Sequence, residues 1–461
     1  MNTTSPSADA TLVPPGLAGR FVTPADSGFH KLGTIVYGGI DATPGGIVRA
    51  ANVDDVVRTV NHARAHGLEL AIRSGGHSNA GHSTSNGGLV LDVRDLNGIE
   101  VDAAERTAWV GAGATAIQLL EALAPHQLVV GFGDTGTVGV SGITLGGGVG
   151  YLTRKLGLTI DSVLAFELVT AAGELITADA GHHPDLFWAL RGGGGNFGVV
   201  TRIRYRLSPL EHFTGGLLIL PATADTVTAF VAAADAAPDE LSTIANVMPA
   251  PPMPFLPPDL VGKLVIFSML AYLGPDEAAQ RALAPFRAIA TPLADFVQPG
   301  DYHKAMFPEM PGAEDYHPLA VSLNLFMHHV GPAEGATIMR HLEQSTAPMR
   351  VAQLRVMGGA ASRVAPDATA YAHRNSRIMV NVAAFYDGSA EDKARQQGWV
   401  DRFAASLDQG DSGAYVNFIG DEGPARVRAA YPDATWARLR EVKRQYDPHN
   451  LFRRNHNIPP A

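Results

Sequence analysis

The sequence predicts an α+β protein in which an antiparallel sheet with helices on one side follows a glycine-rich first part. Three observations point there. Glycine clusters punctuate short strands and helices up to about residue 207. From about 208, Pro-rich stretches such as Pro249-Ala250-Pro251-Pro252-Met253-Pro254 interrupt strand-like runs that alternate with helical segments, the pattern of an antiparallel sheet covered on one face. A chain of 461 residues, 46% hydrophobic and 17% charged, suffices for about two or three globular domains.

The first fifteen residues are polar and rich in Pro and Ser, the composition of a mobile lead-in, and this lead-in is taken to extend to about residue 30. The start lacks a basic-then-apolar leader and no apolar run approaches a membrane span, so the expectation is cytoplasmic, with no membrane partner. Residues 46–50 read as a strand and 54–66 as a helix with Val56, Val57, Val60 and Ala63 on one face. His62 and His66 are four apart on it, but no third ligand is evident and no metal site is expected. Strands are expected at 68–72, 89–93 and 107–111, and a helix at 115–123. The turn Gly111-Ala112-Gly113-Ala114-Thr115-Ala116 matches a dinucleotide fingerprint in form. About twenty residues on, however, comes the glycine loop Gly131-Phe132-Gly133-Asp134 rather than an acidic residue ending a parallel strand. The turn is therefore read as packing helix on strand. Further on, 263–269, 319–326 and 378–386 read as strands, and 275–288 and 333–345 as helices; there is no internal repeat.

A net charge of -10 gives no electrostatic footprint for nucleic acid. It is compatible with a small neutral or cationic substrate and fixes no oligomeric state. The absence of cysteine excludes disulfides, thiolate metal sites and cysteine nucleophiles together.

The chemistry concentrates in Arg73-Ser74-Gly75-Gly76-His77-Ser78, a glycine turn after an apolar strand. Such a turn exposes backbone N–H groups that can cradle a phosphate, with Arg73 as a bidentate cation beside it and His77 at a cofactor. Residues 139–150 hold six glycines in twelve positions, and a second cluster, Gly192-Gly193-Gly194-Gly195, precedes Asn196-Phe197-Gly198-Val199-Val200. With Tyr446-Asp447-Pro448-His449-Asn450-Leu451-Phe452 near the end, these stretches resemble the flavoenzymes of the vanillyl-alcohol-oxidase superfamily, in the berberine-bridge-enzyme-like branch. The resemblance is close over about 30–207 and clear over about 410–459.

The resemblance implies a two-part FAD-binding domain of PCMH type, 31–207 completed by a return over 410–461, with a substrate-binding cap at 208–409. It implies a bond from a ring nitrogen of His77 to the flavin 8α-methyl carbon. Many relatives add a second bond through a cysteine; here Thr135 stands at that place, so a cysteinyl link is chemically impossible. Implied cofactor contacts are Arg73, Ser74, Gly75, Gly76, His77, Ser78 and Gly81 in the first loop. Thr135, Gly136, Val138, Gly139, Gly142, Thr144, Gly147, Gly148 and Gly150 follow in the second, then Val199, Val200, Asn455 and Asn457. Its glycines are expected to let backbone approach the cofactor where a Cβ collides.

Tyr415, in Gly413-Ala414-Tyr415-Val416-Asn417-Phe418, matches the place of a tyrosine that, with lowered pKa, removes the substrate hydroxyl proton in alcohol- and sugar-oxidising members. Strand alternation is expected to put Tyr415 and Asn417 on one face. Asn381, a lone amide among apolar residues, is taken as a pocket contact. Val138, three residues after the cysteine place, matches a position where valine accompanies oxidases and bulkier residues accompany dehydrogenases. The chain departs from many plant relatives at Asn79, Ile143 and Val149, which implies a less polar pocket than in carbohydrate oxidases. The implied function is an FAD-dependent oxidase of an alcohol, phenol or related small secondary metabolite, with molecular oxygen as acceptor and hydrogen peroxide as product. The alternatives are a cyclic-amine oxidase or dehydrogenase of the 6-hydroxynicotine-oxidase type and a flavoprotein that binds a ligand without turnover.

Overall fold

The structure, a computed structural model, describes residues 10–308 and 316–461. Residues 1–9 of the expected lead-in lie outside these. From Ala18 the chain is pinned rather than mobile: the N–H groups of Ala18, Gly19 and Ala51 donate to the fully buried Asp55 carboxylate at 2.7, 2.8 and 2.9 Å. A buried carboxylate demands such donors, and this one recruits the start of the chain. Strand Arg20–Val22 then pairs antiparallel with Gly46–Arg49.

Two sheets form the first part. In one, Arg20–Val22, Gly46–Arg49, Leu89–Asp92 and Leu70–Arg73 lie in that order, the last three parallel. Helix Val53–His66 makes the first crossover; Asn52 caps it by accepting the Asp55 N–H, and Gly67 ends it at φ 62°. In the other, Ile99–Asp102, Thr107–Gly111, Val199–Arg206, Val163–Val169 and Leu175–Asp179 pair antiparallel throughout. The Gly111–Ala116 turn thus follows an antiparallel strand. A Cβ on Gly111 or Gly113 falls 2.1 Å from the Leu96 carbonyl or 2.0 Å from that of Val93, so these glycines serve a backbone crossing and not a dinucleotide.

The middle of the chain builds one antiparallel sheet. Its order is Ala294–Asp295, Phe213–Pro221, Leu264–Leu273, Leu241–Pro249, Arg350–Val356, Ile378–Phe385, Ala320–Met327, with Gln298–Pro299 also on the second strand. Alternation divides its two faces. Ala352, Leu354, Val356, Val380, Val382 and Ala384 join one core with helices Ala224–Ala236, Asp276–Arg287, Pro332–Gln344 and Ala390–Ser406. Gln353, Arg355 and Asn381 fall on the opposite face, toward the glycine loops. The sheet with helices on one side is therefore as expected.

The C-terminal segment returns to the first part. Ala414, Val416, Ile419, Leu439, Phe452 and Ile458 share a core with Val48, Leu91, Phe166 and Ile203.

Candidate active site

Two glycine loops cross backbone to backbone. A Cβ on Gly75 lies 2.3 Å from the Gly139 nitrogen, and one on Gly139 lies 2.1 Å from Ser74 Oγ; no side chain fits at either place. Ser74 Oγ locks the crossing by donating to the Ala112 carbonyl at 2.7 Å. His77 leaves this crossing with Nε2 3.0 Å from Thr137 Oγ1. Burial pushes the imidazole pKa down to about 4, so near pH 7 the ring is neutral and keeps a lone pair for bonding.

A cavity of about 460 Å³ opens beside the crossing. Ser74, Gly75, Gly76, His77 and Ser78 line it from the first loop, and Thr135, Val138, Gly139 and Gly142 from the second. Val200 and Asn455 line the same cavity, as do Tyr415, Asn417 and Asn381.

Nine expected contacts do not line it. Arg73, 1% exposed, spends its guanidinium on the carbonyls of Leu32, Gly33 and Ser83, which ties residues 32–33 to the loop. Gly81 serves a turn at φ 72°, and the Gly136 carbonyl accepts from Ile117. The Thr144 hydroxyl is in the core, bonded to the Val140 carbonyl at 2.6 Å and Tyr205 Oη at 2.8 Å. Gly147, Gly148 and Gly150 make room for the Tyr371 and Tyr415 rings, for Thr159 and for the Phe132 carbonyl respectively. Val199 is core, and Asn457 ends with a buried, unpartnered Oδ1.

Tyr415 is not on a strand. It begins the 3-10 turn Val416–Phe418, because its N–H is taken by Asn324 Oδ1 at 2.7 Å and its carbonyl by the Phe418 N–H. Asn417 is nevertheless brought to it. The Ile143 carbonyl accepts from Asn417 Nδ2 at 2.9 Å, which fixes the amide so that the same nitrogen donates to Tyr415 Oη at 2.8 Å. Gly146 leaves the space: a Cβ there meets Asn417 Oδ1 at 1.9 Å. The N–H groups of Gly148 and Val149 add two more donors to Tyr415 Oη, at 3.0 and 3.1 Å. Burial raises the pKa of this phenol against the expectation of a lowered one, while the three donors and the Arg355 cation pull it down. An oxygen ringed by donors is built to carry negative charge.

Arg355 escaped the sequence reading. Its Nη2 pairs with Asp134 Oδ2 at 2.5 Å, its Nη1 donates to the Val149 carbonyl at 3.3 Å, and its guanidinium lies 4.9 Å from the centre of the Phe418 ring. Gln353 and Ser322 from the cap also line the cavity, as do His82 and His456. The signal for Gln353 and Arg355 was present: residues 352–356 alternate apolar and polar.

The wall fits FAD. Gly142 and Gly195 bare their backbone to the cavity, with no protein atom within 4 Å of an added Cβ. Ser83 and Asn455 line the cavity, and Ser83 Oγ and Asn455 Oδ1 are buried without a protein partner. Neutral hydrogen-bonding groups, bare backbone and an uncharged imidazole are what a large polar-edged ring system with phosphates can use.

Residues 44–179 match a family described as FAD binding domain, and residues 414–459 one described as Berberine and berberine like. The chain is 30% identical, over 96% of its length and 97% of the other, to the uncharacterized FAD-linked oxidoreductase YgaK of Bacillus subtilis (strain 168). It is 29% identical, over 97% of its length and 98% of the other, to (R)-6-hydroxynicotine oxidase of Paenarthrobacter nicotinovorans. The solved structure of 6-hydroxy-D-nicotine oxidase from Arthrobacter nicotinovorans superposes with a TM-score of 0.85 at 26% identity, covering 97% of this chain and 99% of that one.

Proposed function

Since the chain belongs to the berberine-bridge-enzyme-like branch of the FAD-linked oxidoreductases, we propose that it oxidises a small alcohol, phenol or related secondary metabolite, with FAD bonded once to His77 and molecular oxygen as acceptor. The observation that carries this reading is the convergence of His77 and the donor-ringed Tyr415 phenol on one cavity. Bound FAD supplies the hydride acceptor. Tyr415, as its phenolate, takes the proton of the substrate hydroxyl, and the N–H groups of Gly148, Val149 and Asn417 oppose the rise in its pKa that burial causes. Asn417 positions the phenol; Asn381 holds substrate from the cap. The substrate loses a hydride from carbon and a proton from oxygen to become a carbonyl compound, and molecular oxygen takes up both as hydrogen peroxide. Val138, on the cavity wall, leaves room for that oxygen.

A second reading is oxidation of a cyclic amine, favoured by the similarity to (R)-6-hydroxynicotine oxidase. An amine offers no hydroxyl proton for Tyr415. Anaerobic mixing of the holoenzyme with panels of alcohols and cyclic amines separates the two. Bleaching by alcohols, with one peroxide formed per carbonyl product in air, supports the proposal; bleaching by amines alone overturns it.

A further inference from the structure

We propose that the cap reads an uncharged substrate bearing a second hydrogen-bond donor, remote from the carbon that is oxidised, and that Asn381 is the residue that reads it. This rests on the cavity being an alcohol-oxidising site. Four amides stand in register across four neighbouring cap strands: Asn246 opposite Gln353, Gln353 opposite Asn381, and Asn381 opposite Asn324. Gln353 and Asn246 are committed to partners within the protein, and Asn324 is committed through its Oδ1, its Nδ2 being buried without a partner. Arg355 Nε can only donate, so it fixes Gln353 Oε1 at 2.9 Å, which turns Gln353 Nε2 onto Asn246 Oδ1 at 2.9 Å. Asn324 Oδ1 takes the Tyr415 N–H at 2.7 Å.

The side chain of Asn381 makes no hydrogen bond to any described residue. Its Oδ1 is shut off from solvent without a partner, yet the residue lines the cavity with Gln353 and Tyr415. Interiors keep few buried acceptors without a donor, and a ligand O–H or N–H completes this one. Charge is not on offer beside it. Arg355 is held by Asp134, Val149 and Gln353, and Asp134 Oδ1 accepts from Thr135 Oγ1 at 3.3 Å. Neighbouring strands lie about 4.8 Å apart, so Asn381 stands one spacing from the strand whose Asn324 holds Tyr415.

The test uses the FAD-loaded enzyme without oxygen and two probes of equal size, 4-hydroxybenzyl alcohol and 4-methylbenzyl alcohol. Perturbation of the flavin spectrum gives Kd; its bleaching gives the rate of reduction. The wild type is expected to bind the hydroxyl probe on the order of 10- to 100-fold more tightly, since a site built to bond a hydroxyl rejects the analogue lacking it. Asn381→Leu removes the difference. Asn381→Asp, which keeps an acceptor and tests against misfolding, retains it. A wild type that binds both probes alike or neither, or an Asn381→Leu variant that still prefers the hydroxyl, overturns the assignment. The two claims fail separately: preference for the hydroxyl probe without any bleaching sinks the alcohol-oxidase reading alone, and bleaching without preference sinks the Asn381 assignment alone.

Discussion

His77 owes its chemistry to its neighbours. Desolvation keeps it neutral well below its ordinary titration range, and Thr137 Oγ1 stands 3.0 Å from its Nε2. Wild-type protein is expected to retain flavin through acid precipitation, whereas His77→Ala releases it; colour still fixed to the variant polypeptide contradicts the attachment site. This histidine was legible in the sequence because a glycine turn after a strand is a local pattern. The fate of Arg73 was not. Its guanidinium is claimed by carbonyls some forty positions earlier, a contact no local pattern announces. Tyr415 and Asn417 were legible as a pair, but their meeting comes from the Ile143 carbonyl and a 3-10 turn rather than from strand alternation.

Among the elements, helix Asp433–Tyr446 is fastened by a fully buried pair. Lys443 Nζ donates to Asp447 Oδ2 at 2.7 Å, to the Asn196 carbonyl at 2.7 Å and to the Phe452 carbonyl at 2.8 Å. Asp447 in turn accepts the N–H groups of Leu451 and Phe452 at 2.8 Å each. The Tyr-Asp-Pro motif thus staples the C-terminal segment to the Gly194–Asn196 wall of the cavity. Lys443→Met leaves a buried carboxylate without its cation and is expected to cost about 3–5 kcal/mol, read as a lower denaturant midpoint at unchanged slope. A shift under about 1 kcal/mol contradicts the staple. Strand and helix positions in the cap were legible from alternation, while the order of the strands depends on pairings between residues far apart in the chain. That order is what sets Gln353, Asn381 and Asn324 side by side.

For the whole molecule, buried imidazoles shape the response to acid, and His82 and His456 are two of them. His82 and His456 meet edge to face at 4.5 Å, and burial holds them at about 3 and about 4. Unfolded, both bind protons near their ordinary pKa, so the unfolded state takes up protons that the folded state refuses. Stability is therefore expected to be level above about pH 7 and to fall as pH drops from about 6.5 toward 4, by up to about 1.4 kcal/mol per unit and per histidine. His82→Gln should flatten part of that slope in denaturant midpoints taken from pH 7 to 5, and an unchanged slope contradicts the assignment. Among the described residues no helix is long and apolar enough to cross a membrane. The glycine loops and the C-terminal motif made the architecture and half of the cavity legible. The cap side was harder to read because Arg355 acts through partners on the other part of the chain, at Asp134 and Val149, and Gln353 is set by Arg355 in turn. The claim that joins the two halves is that Tyr415 accepts the substrate proton beside flavin held at His77. Its most direct test is flavin reduction without oxygen by the best alcohol substrate, comparing wild type with Tyr415→Phe. The account predicts a variant with full FAD content and a reduction rate lower by on the order of 10²-fold or more; an unchanged rate contradicts it.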